Sequence, residues 1–133
     1  MPPAAADDLA SAPIFGSLGP DELAAIAPWF ELQEVSPGVT LTGEGAPGYS
    51  FFVLRDGTAT VTIDGSEVRT LGAGDFFGEL AILGDGRRTA TVTTASPSHV
   101  LVLFGSEFRR LQQEYPEIAA QIESALRETA QAA

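Results

Sequence analysis

The stretch "FFVLRDGTATVTIDG", residues 51–65, indicates how the chain folds. Its first four residues form a short apolar run typical of a buried strand. In the run that follows Asp56-Gly57, apolar residues alternate with threonine, the period-two pattern of a strand with one face toward water. A second pair, Asp64-Gly65, ends that run. Because Asp-Gly between two such runs favours a two-residue turn, the sequence predicts a hairpin at each pair.

Further strand-like runs lie on both sides of this stretch. Their sequences are "ELQEV" (31–35), "VTLTG" (39–43), "TATVT" (89–93) and "HVLVLF" (99–104). Six to eight short strands at this spacing, separated by turn residues, favour a small sandwich or barrel-like roll. The fold class predicted is therefore mainly β, an eight-stranded jelly-roll-like β-roll with helices at both ends of the chain.

The two ends of the chain have a helical pattern. Asp21 is expected to cap a short helix that Pro28 ends. After the strands, Ser106 is expected to cap a helix that Pro116 breaks, and a last helix follows. Residues 1–12 are rich in Ala, Pro and Asp and are expected to be a flexible segment. One domain over residues 13–133 is the organisation that these patterns favour.

Composition excludes several kinds of partner and site. The 133 residues carry a net charge of −11, with seven basic residues, all arginine, against eighteen acidic ones. Nucleic-acid and anionic-lipid surfaces recruit clustered basic residues, so neither is expected as a direct partner. The sequence has no cysteine and one histidine, His99, so neither a thiolate zinc site nor a metal-dependent cupin site is expected. The absence of a signal peptide pattern and of a long apolar run favours a cytoplasmic protein.

The stretch "FGELAILGDGRRTATV", residues 77–92, carries the chemistry. "GELAIL" contains good helix formers for barely two turns, and the first turn of such a helix presents unpaired N–H groups and a partial positive charge. If the following loop brings Arg88 back to that helix, backbone donors and a guanidinium surround one phosphate group. Glu79 would repel a phosphate but can accept a hydrogen bond from a sugar hydroxyl. A nucleotide with one phosphate fits this arrangement, although surface loops of sheet proteins often contain the same residues.

The same stretch resembles the phosphate-binding cassette of the cyclic nucleotide-binding domains, which occur in catabolite-activator-type regulators, kinase regulatory subunits and nucleotide-gated channels. "GYSFFVLRDGTATV" resembles the glycine-punctuated strand pair of that family, and "LGAGDFFGE" resembles its approach to the cassette. The resemblance covers about residues 13–128. It implies a sensory module that binds cAMP, with cGMP left open, and that needs no other cofactor.

The resemblance also implies roles for individual residues. Glu79 matches the acid that binds the ribose 2′-hydroxyl, and Arg88 matches the arginine that pairs with the cyclic phosphate. Backbone and hydroxyl contacts are implied for Gly78, Leu80, Ala81, Thr89 and Ala90. Arg87 is expected to face solvent. The last helix is implied to cover the base, with Ile122, Leu126 and Arg127 as candidate contacts.

Two other functions remain open from the sequence. A domain of the same fold that has lost its ligand would act as a protein-interaction module, and an enzyme of cupin-like shape is disfavoured by the single histidine. We expect no catalytic residues and no metal site. An effector domain or partner protein is expected for a sensory module, and the chain itself is expected to be a monomer or weak dimer.

Overall fold

The computed structural model describes residues 3–43, 50–79 and 90–132, and its strands form two antiparallel sheets. The strands are β1 (Glu31–Val35), β2 (Thr40–Thr42), β3 (Ser50–Asp56), β4 (Ala59–Ile63), β5 (Ser66–Leu71), β6 (Phe76–Phe77), β7 (Thr91–Thr94) and β8 (Ser98–Phe104). One sheet has the order β1-β8-β3-β6 and the other the order β2-β7-β4-β5. Both sheets combine strands from distant parts of the chain, as in a jelly roll. The predicted β-roll is confirmed.

The sheet β1-β8-β3-β6 separates two apolar layers. Alternate residues of β3 and β8 point to opposite faces of this sheet. Phe51 and Val53, with Leu101 and Leu103 of β8, belong to a cluster shared with the helices. The intervening residues Phe52, Leu54, Val100 and Val102 belong to the interior of the roll, together with Val61 and Val92 of the other sheet. Because both faces are covered, "FFVL" and "HVLVLF" are continuous apolar runs rather than alternating ones.

The second Asp-Gly pair forms the predicted hairpin. Asp64 and Gly65 have φ angles of 51° and 78°, and they join β4 to β5. Positive φ at both central residues is the requirement of a type I′ turn. The prediction at Asp64-Gly65 is confirmed.

The prediction of a hairpin at Asp56-Gly57 is wrong. β3 and β4, which this pair connects, lie in different sheets, so the chain here crosses from one sheet to the other. The crossing is bonded to the loop between β7 and β8 instead: Thr58 N–H donates to Ser96 Oγ at 2.9 Å, and Ala95 N–H donates to the Thr58 carbonyl at 2.9 Å. Hydrogen bonds with that distant loop, rather than the local turn preference, determine where the strand goes.

A polar chain of contacts joins the N-terminal helix to this crossing. Asp56 accepts from the His99 backbone N–H at 2.9 Å, and its Oδ1 lies 2.9 Å from His99 Nδ1. Arg55 lies beside it and contacts Asp8 at 3.0 Å. Burial raises the pKa of Asp56, but hydrogen bonds from His99 and the neighbouring positive charges outweigh burial and leave that pKa below its ordinary value. His99 therefore holds the start of β8 against the last residue of β3.

Helices flank the roll, and two of their starts differ from prediction. They are α1 (Ala6–Ala10), α2 (Pro20–Ile26), α3 (Gly105–Glu114) and α4 (Pro116–Ala132), with 3₁₀ turns at Pro13–Phe15 and Ala27–Trp29. Gly19, not Asp21, precedes α2, and its N–H donates to Glu22 at 3.0 Å. α3 begins at Gly105 after Phe104, with no cap from Ser106. In each case the N-cap is the residue with extended backbone, Gly19 or Phe104, which lies two positions before the predicted cap.

The beginning of the chain packs against the sheet and the helices. The flexibility of residues 1–12 stays a prediction; in this structure α1 lies within that segment and Leu9 is completely buried. Pro3 pairs with Glu31 of β1, and Ala4 N–H donates to the Phe30 carbonyl at 3.0 Å. The small alanine side chains of this segment permit this close packing.

Gly57→Ala tests the sheet crossing. Gly57 has a φ of +92°, and a Cβ added there would overlap the Ser98 side chain and lie 2.7 Å from its Cα. We expect the free energy of unfolding to fall by about 2–5 kcal/mol, from left-handed strain and from overpacking. Urea denaturation measures this change.

Gly65→Ala is the matched control, because Gly65 has a similar φ of +78° but nothing within 4 Å of the added Cβ. It should cost only the backbone strain of about 1–2 kcal/mol. Equal losses in the two variants would show that the contact with Ser98 does not constrain the crossing.

Candidate functional site

The candidate site begins where β6 leaves the first sheet. Phe77 of β6 pairs with Phe52 of β3, and the two rings stack with centroids 4.8 Å apart and an interplanar angle of 11°. Both rings belong to the cluster inside the roll. The stacked pair fixes the point from which residues 78 and 79 continue.

Gly78 turns the chain immediately after this pair. Its φ is +75°, a backbone conformation that favours glycine over residues with a Cβ. Glu79 follows in a turn and is half-buried. The structure therefore puts the predicted ribose acid directly after a strand anchored inside the roll, in a position that retains access to solvent.

A turn over residues 72–75 holds β6 against β3. Gly74 N–H donates to the Leu54 carbonyl at 2.7 Å, and Leu54 N–H donates to the Asp75 carbonyl at 2.8 Å. The Asp75 side chain accepts from Gly72 N–H at 2.8 Å, which closes the turn. Sequence reasoning missed Asp75, although Asp is a frequent turn residue because its side chain bonds nearby backbone groups. This turn fixes a strand that is itself only two residues long.

Ala90 marks the other end of the candidate segment. It precedes β7, which lies in the second sheet, and it packs against the same interior cluster as Phe77. The Thr42 hydroxyl donates to its carbonyl at 3.4 Å. The two ends of the candidate segment thus adjoin different sheets: Glu79 comes after β6 of the first sheet, and Ala90 comes before β7 of the second. The strands at both ends contact the same apolar interior.

The predicted site residues divide into two groups. Gly78, Glu79 and Ala90 are described, and they lie at the two ends of the segment. Leu80, Ala81, Arg88 and Thr89 lie outside the described residues, as does Arg87. In the described part of the chain, no group of three His, Asp or Glu side chains is arranged to hold a metal ion.

The candidate contacts for the base lie elsewhere in this structure. Ile122 and Leu126 are completely buried in the helix-side cluster, on the far side of the sheet from the interior of the roll. Arg127 contacts Glu123 at 2.8 Å, one turn away on α4. In this arrangement both side chains pack α4 against the helical layer, and their role at a base stays a prediction.

Within the described residues, no helix is both long enough and apolar enough to span a membrane.

Comparison with known proteins places these features in a family. The family model "Cyclic nucleotide-binding domain" matches residues 32–115, more than half of the chain. A cAMP-dependent protein kinase regulatory subunit of Colletotrichum orbiculare is 41% identical over 107 residues, which cover 79% of this chain and 27% of that protein. The cGMP-dependent protein kinase, isozyme 1, of Drosophila melanogaster is 35% identical over 111 residues, covering 77% of this chain and 14% of that protein.

A solved structure described as "cAMP bound PfPKA-R (141-441)" has a similar fold. It is 29% identical, with a TM-score of 0.73, and the match covers 94% of this chain and 46% of that one. The chain thus spans less than half the length of each of these proteins. The family match includes β6, Gly78, Glu79 and Ala90, the residues that bound the candidate site. This chain belongs to the cyclic nucleotide-binding domain family.

Proposed function

We propose that this domain binds one cyclic nucleotide, cAMP or cGMP, at the segment between Glu79 and Ala90. The observation that carries the proposal is the family match across this segment, since residues 32–115 include all of it. The geometry of its two ends supports the same function, because both ends are anchored to the interior of the roll. The relatives' descriptions name cAMP and cGMP, and the base that this chain prefers is part of what the experiments below decide.

Arg88 is the proposed partner of the cyclic phosphate. A chain with a net charge of −11 repels an anionic ligand at long range, so a local positive charge is needed for binding. A guanidinium supplies that charge together with two parallel hydrogen bonds. Backbone N–H groups at the start of a short helix complete the proposed phosphate site, with contributions from Gly78, Leu80, Ala81, Thr89 and Ala90.

Glu79 is the proposed partner of the ribose 2′-hydroxyl. Its half-buried position after Gly78 supports this role, since a carboxylate there is accessible to a ligand yet shielded from bulk water on one side. The carboxylate accepts a hydrogen bond from the hydroxyl and so selects a ribose over a deoxyribose. Charge repulsion keeps the same carboxylate away from the phosphate.

Covering the base is a separate step in this proposal. The resemblance implies that the last helix closes over the base, but α4 buries Ile122 and Leu126 against the helical layer. Exposing two such side chains costs about 1.5–3 kcal/mol each. Ligand contacts made only in the closed state must offset that cost, because a ligand shifts an equilibrium only by its differential affinity for the two states.

The wider role follows from the family. The matched relatives are described as regulatory subunits and cyclic nucleotide-dependent kinases. We propose that residues 13–133 act as one sensory, non-catalytic domain in the cytoplasm, which passes ligand binding to an effector domain or partner protein. The segment 3–12 packs on this domain and stabilises it. The proposed oligomeric state is a monomer or weak dimer.

Arg88→Ala tests the phosphate site. The variant leaves a desolvated phosphate without its counter-charge, at a cost of about 3–5 kcal/mol. The dissociation constant for cAMP should therefore rise by roughly two to four orders of magnitude in isothermal titration calorimetry.

The adjacent Arg87→Ala is the matched control, because it removes the same charge from the neighbouring position. It should bind cAMP within about threefold of the parent, the effect of an exposed charge. If the two variants bind equally well, Arg88 does not hold the phosphate.

Glu79→Gln tests the ribose site through a double-mutant cycle. The variant should bind cAMP about tenfold more weakly than the parent, since a hydrogen bond to a charged group is worth about 1.5–3 kcal/mol. Parent and variant should bind 2′-deoxy-cAMP with similar affinity, because the hydroxyl that Glu79 contacts is missing. An equal loss for both ligands would assign Glu79 a structural role instead.

A further inference from the structure

A small cleft lies on the helical side of the sheet, away from the interior of the roll. Its volume is about 260 Å³, and it is lined by Pro13, Ile14, Gly74, Asp75, Phe76, Ala125 and Glu128. Phe76 and Ala125 pack against the helix-side cluster, whereas Phe77, the next residue along β6, belongs to the cluster inside the roll. The cleft therefore lies on the opposite face of the first sheet from the roll interior, to which both ends of the proposed nucleotide segment are anchored.

The lining combines an apolar floor with acidic side chains. Phe76, Ile14 and Pro13 supply the apolar surface, and Asp75 and Glu128 are exposed. Among the described residues that line the cleft, none carries a positive charge. Small-molecule sites usually start at about 300 Å³, so this space suits a single long side chain. An aliphatic stem on the floor and a positive head near the carboxylates satisfy both parts of the lining.

Elsewhere in the helical layer, an aromatic ring and a carboxylate together hold an arginine side chain. The Arg110 guanidinium lies 5.4 Å from the centroid of the Trp29 ring, and the Glu107 carboxylate accepts from it at 3.2 Å. An aromatic face with a nearby carboxylate is a favourable setting for arginine, whose planar group stacks and hydrogen-bonds at once. In the cleft, Phe76 and Glu128 supply the aromatic ring and the carboxylate.

We propose that this cleft binds an arginine side chain from a basic peptide segment of a partner protein. Charge complementarity favours this occupant, because an acidic chain of net charge −11 attracts basic segments at long range. The cleft joins three elements that are distant in sequence: the 3₁₀ turn at 13–15, the turn at 72–75 and α4. A bound arginine therefore contacts both α4 and the turn that leads into β6.

The test uses three short peptides and the 133-residue chain. The probe is acetyl-Gly-Arg-Gly-amide, with the same peptide carrying norleucine or lysine in place of arginine. Backbone amide shifts are followed by nuclear magnetic resonance. We expect saturable shifts at Gly74, Phe76 and Ala125 with arginine, in the millimolar range, weaker shifts with lysine and none with norleucine. Equal binding of norleucine, or arginine shifts confined to other parts of the chain, overturns the proposal.

Substitutions that remove negative charges, made in the cleft and elsewhere, separate the effect of the cleft carboxylates from the effect of the overall net charge. Asp75→Asn with Glu128→Gln should weaken binding of the arginine peptide about tenfold, with each exposed carboxylate contributing roughly threefold to fivefold. Asn at position 75 retains an oxygen that can accept from Gly72 N–H, so the turn is preserved. A melting curve of this variant confirms that it is folded.

The matched control is Glu34→Gln with Glu67→Gln. Both side chains are exposed, and they lie on β1, at the opposite edge of the first sheet, and on β5, in the second sheet. This pair removes the same net charge and should change peptide binding by less than about twofold. Ala125→Leu fills the cleft without changing charge and should abolish the shifts. If the control pair weakens binding as much as the cleft pair, or Ala125→Leu binds normally, the proposal is wrong.

Discussion

The sheet β1-β8-β3-β6 is buried on both faces, and this burial positions the helices, the roll and the candidate site. Val53 and Leu101 face the helices, and Phe52 and Val102 face the interior of the roll. A slip of one residue in the pairing of β3 with β8 would exchange these two sets of side chains. Because the two sets differ in size and shape, each layer accepts only its own side chains, and this register also sets where β6 attaches to β3.

The position of the candidate site is set by this sheet, because the site follows β6 and β6 pairs with β3. β6 is two residues long and is held by its pairing with β3 and by the turn that Asp75 closes. Phe76 contributes to the helical layer and Phe77 to the interior, so the two neighbouring phenylalanines anchor the strand on both sides. Gly78, with its positive φ, then turns the backbone at the start of the candidate segment. β6 thus connects the interior of the roll to the helices outside it through a strand of two residues.

Features that depend on local residue patterns could be predicted from the sequence. Features that depend on contacts between distant parts of the chain could not. Asp64-Gly65 forms its hairpin because both residues of the turn adopt positive φ locally. Asp56-Gly57 has the same two residue types, yet hydrogen bonds to the loop containing Ser96 carry the chain to the other sheet. Similarly, the apolar face of α4 was predicted from its helical spacing, but its packing on the helical layer depends on distant residues and has no local signal. The roles of Glu79 and Arg88 came from the family resemblance and stay predictions.

A titration of the unmodified chain with cAMP and with cGMP, followed by backbone amide shifts, decides whether the domain binds a cyclic nucleotide at this segment. Binding at the segment between the two sheets predicts saturable shifts at Gly78, Glu79 and Ala90, with one ligand per chain. A folded chain that shows no saturable shift at these residues with either nucleotide would contradict the account and would favour a protein-interaction domain of the same fold.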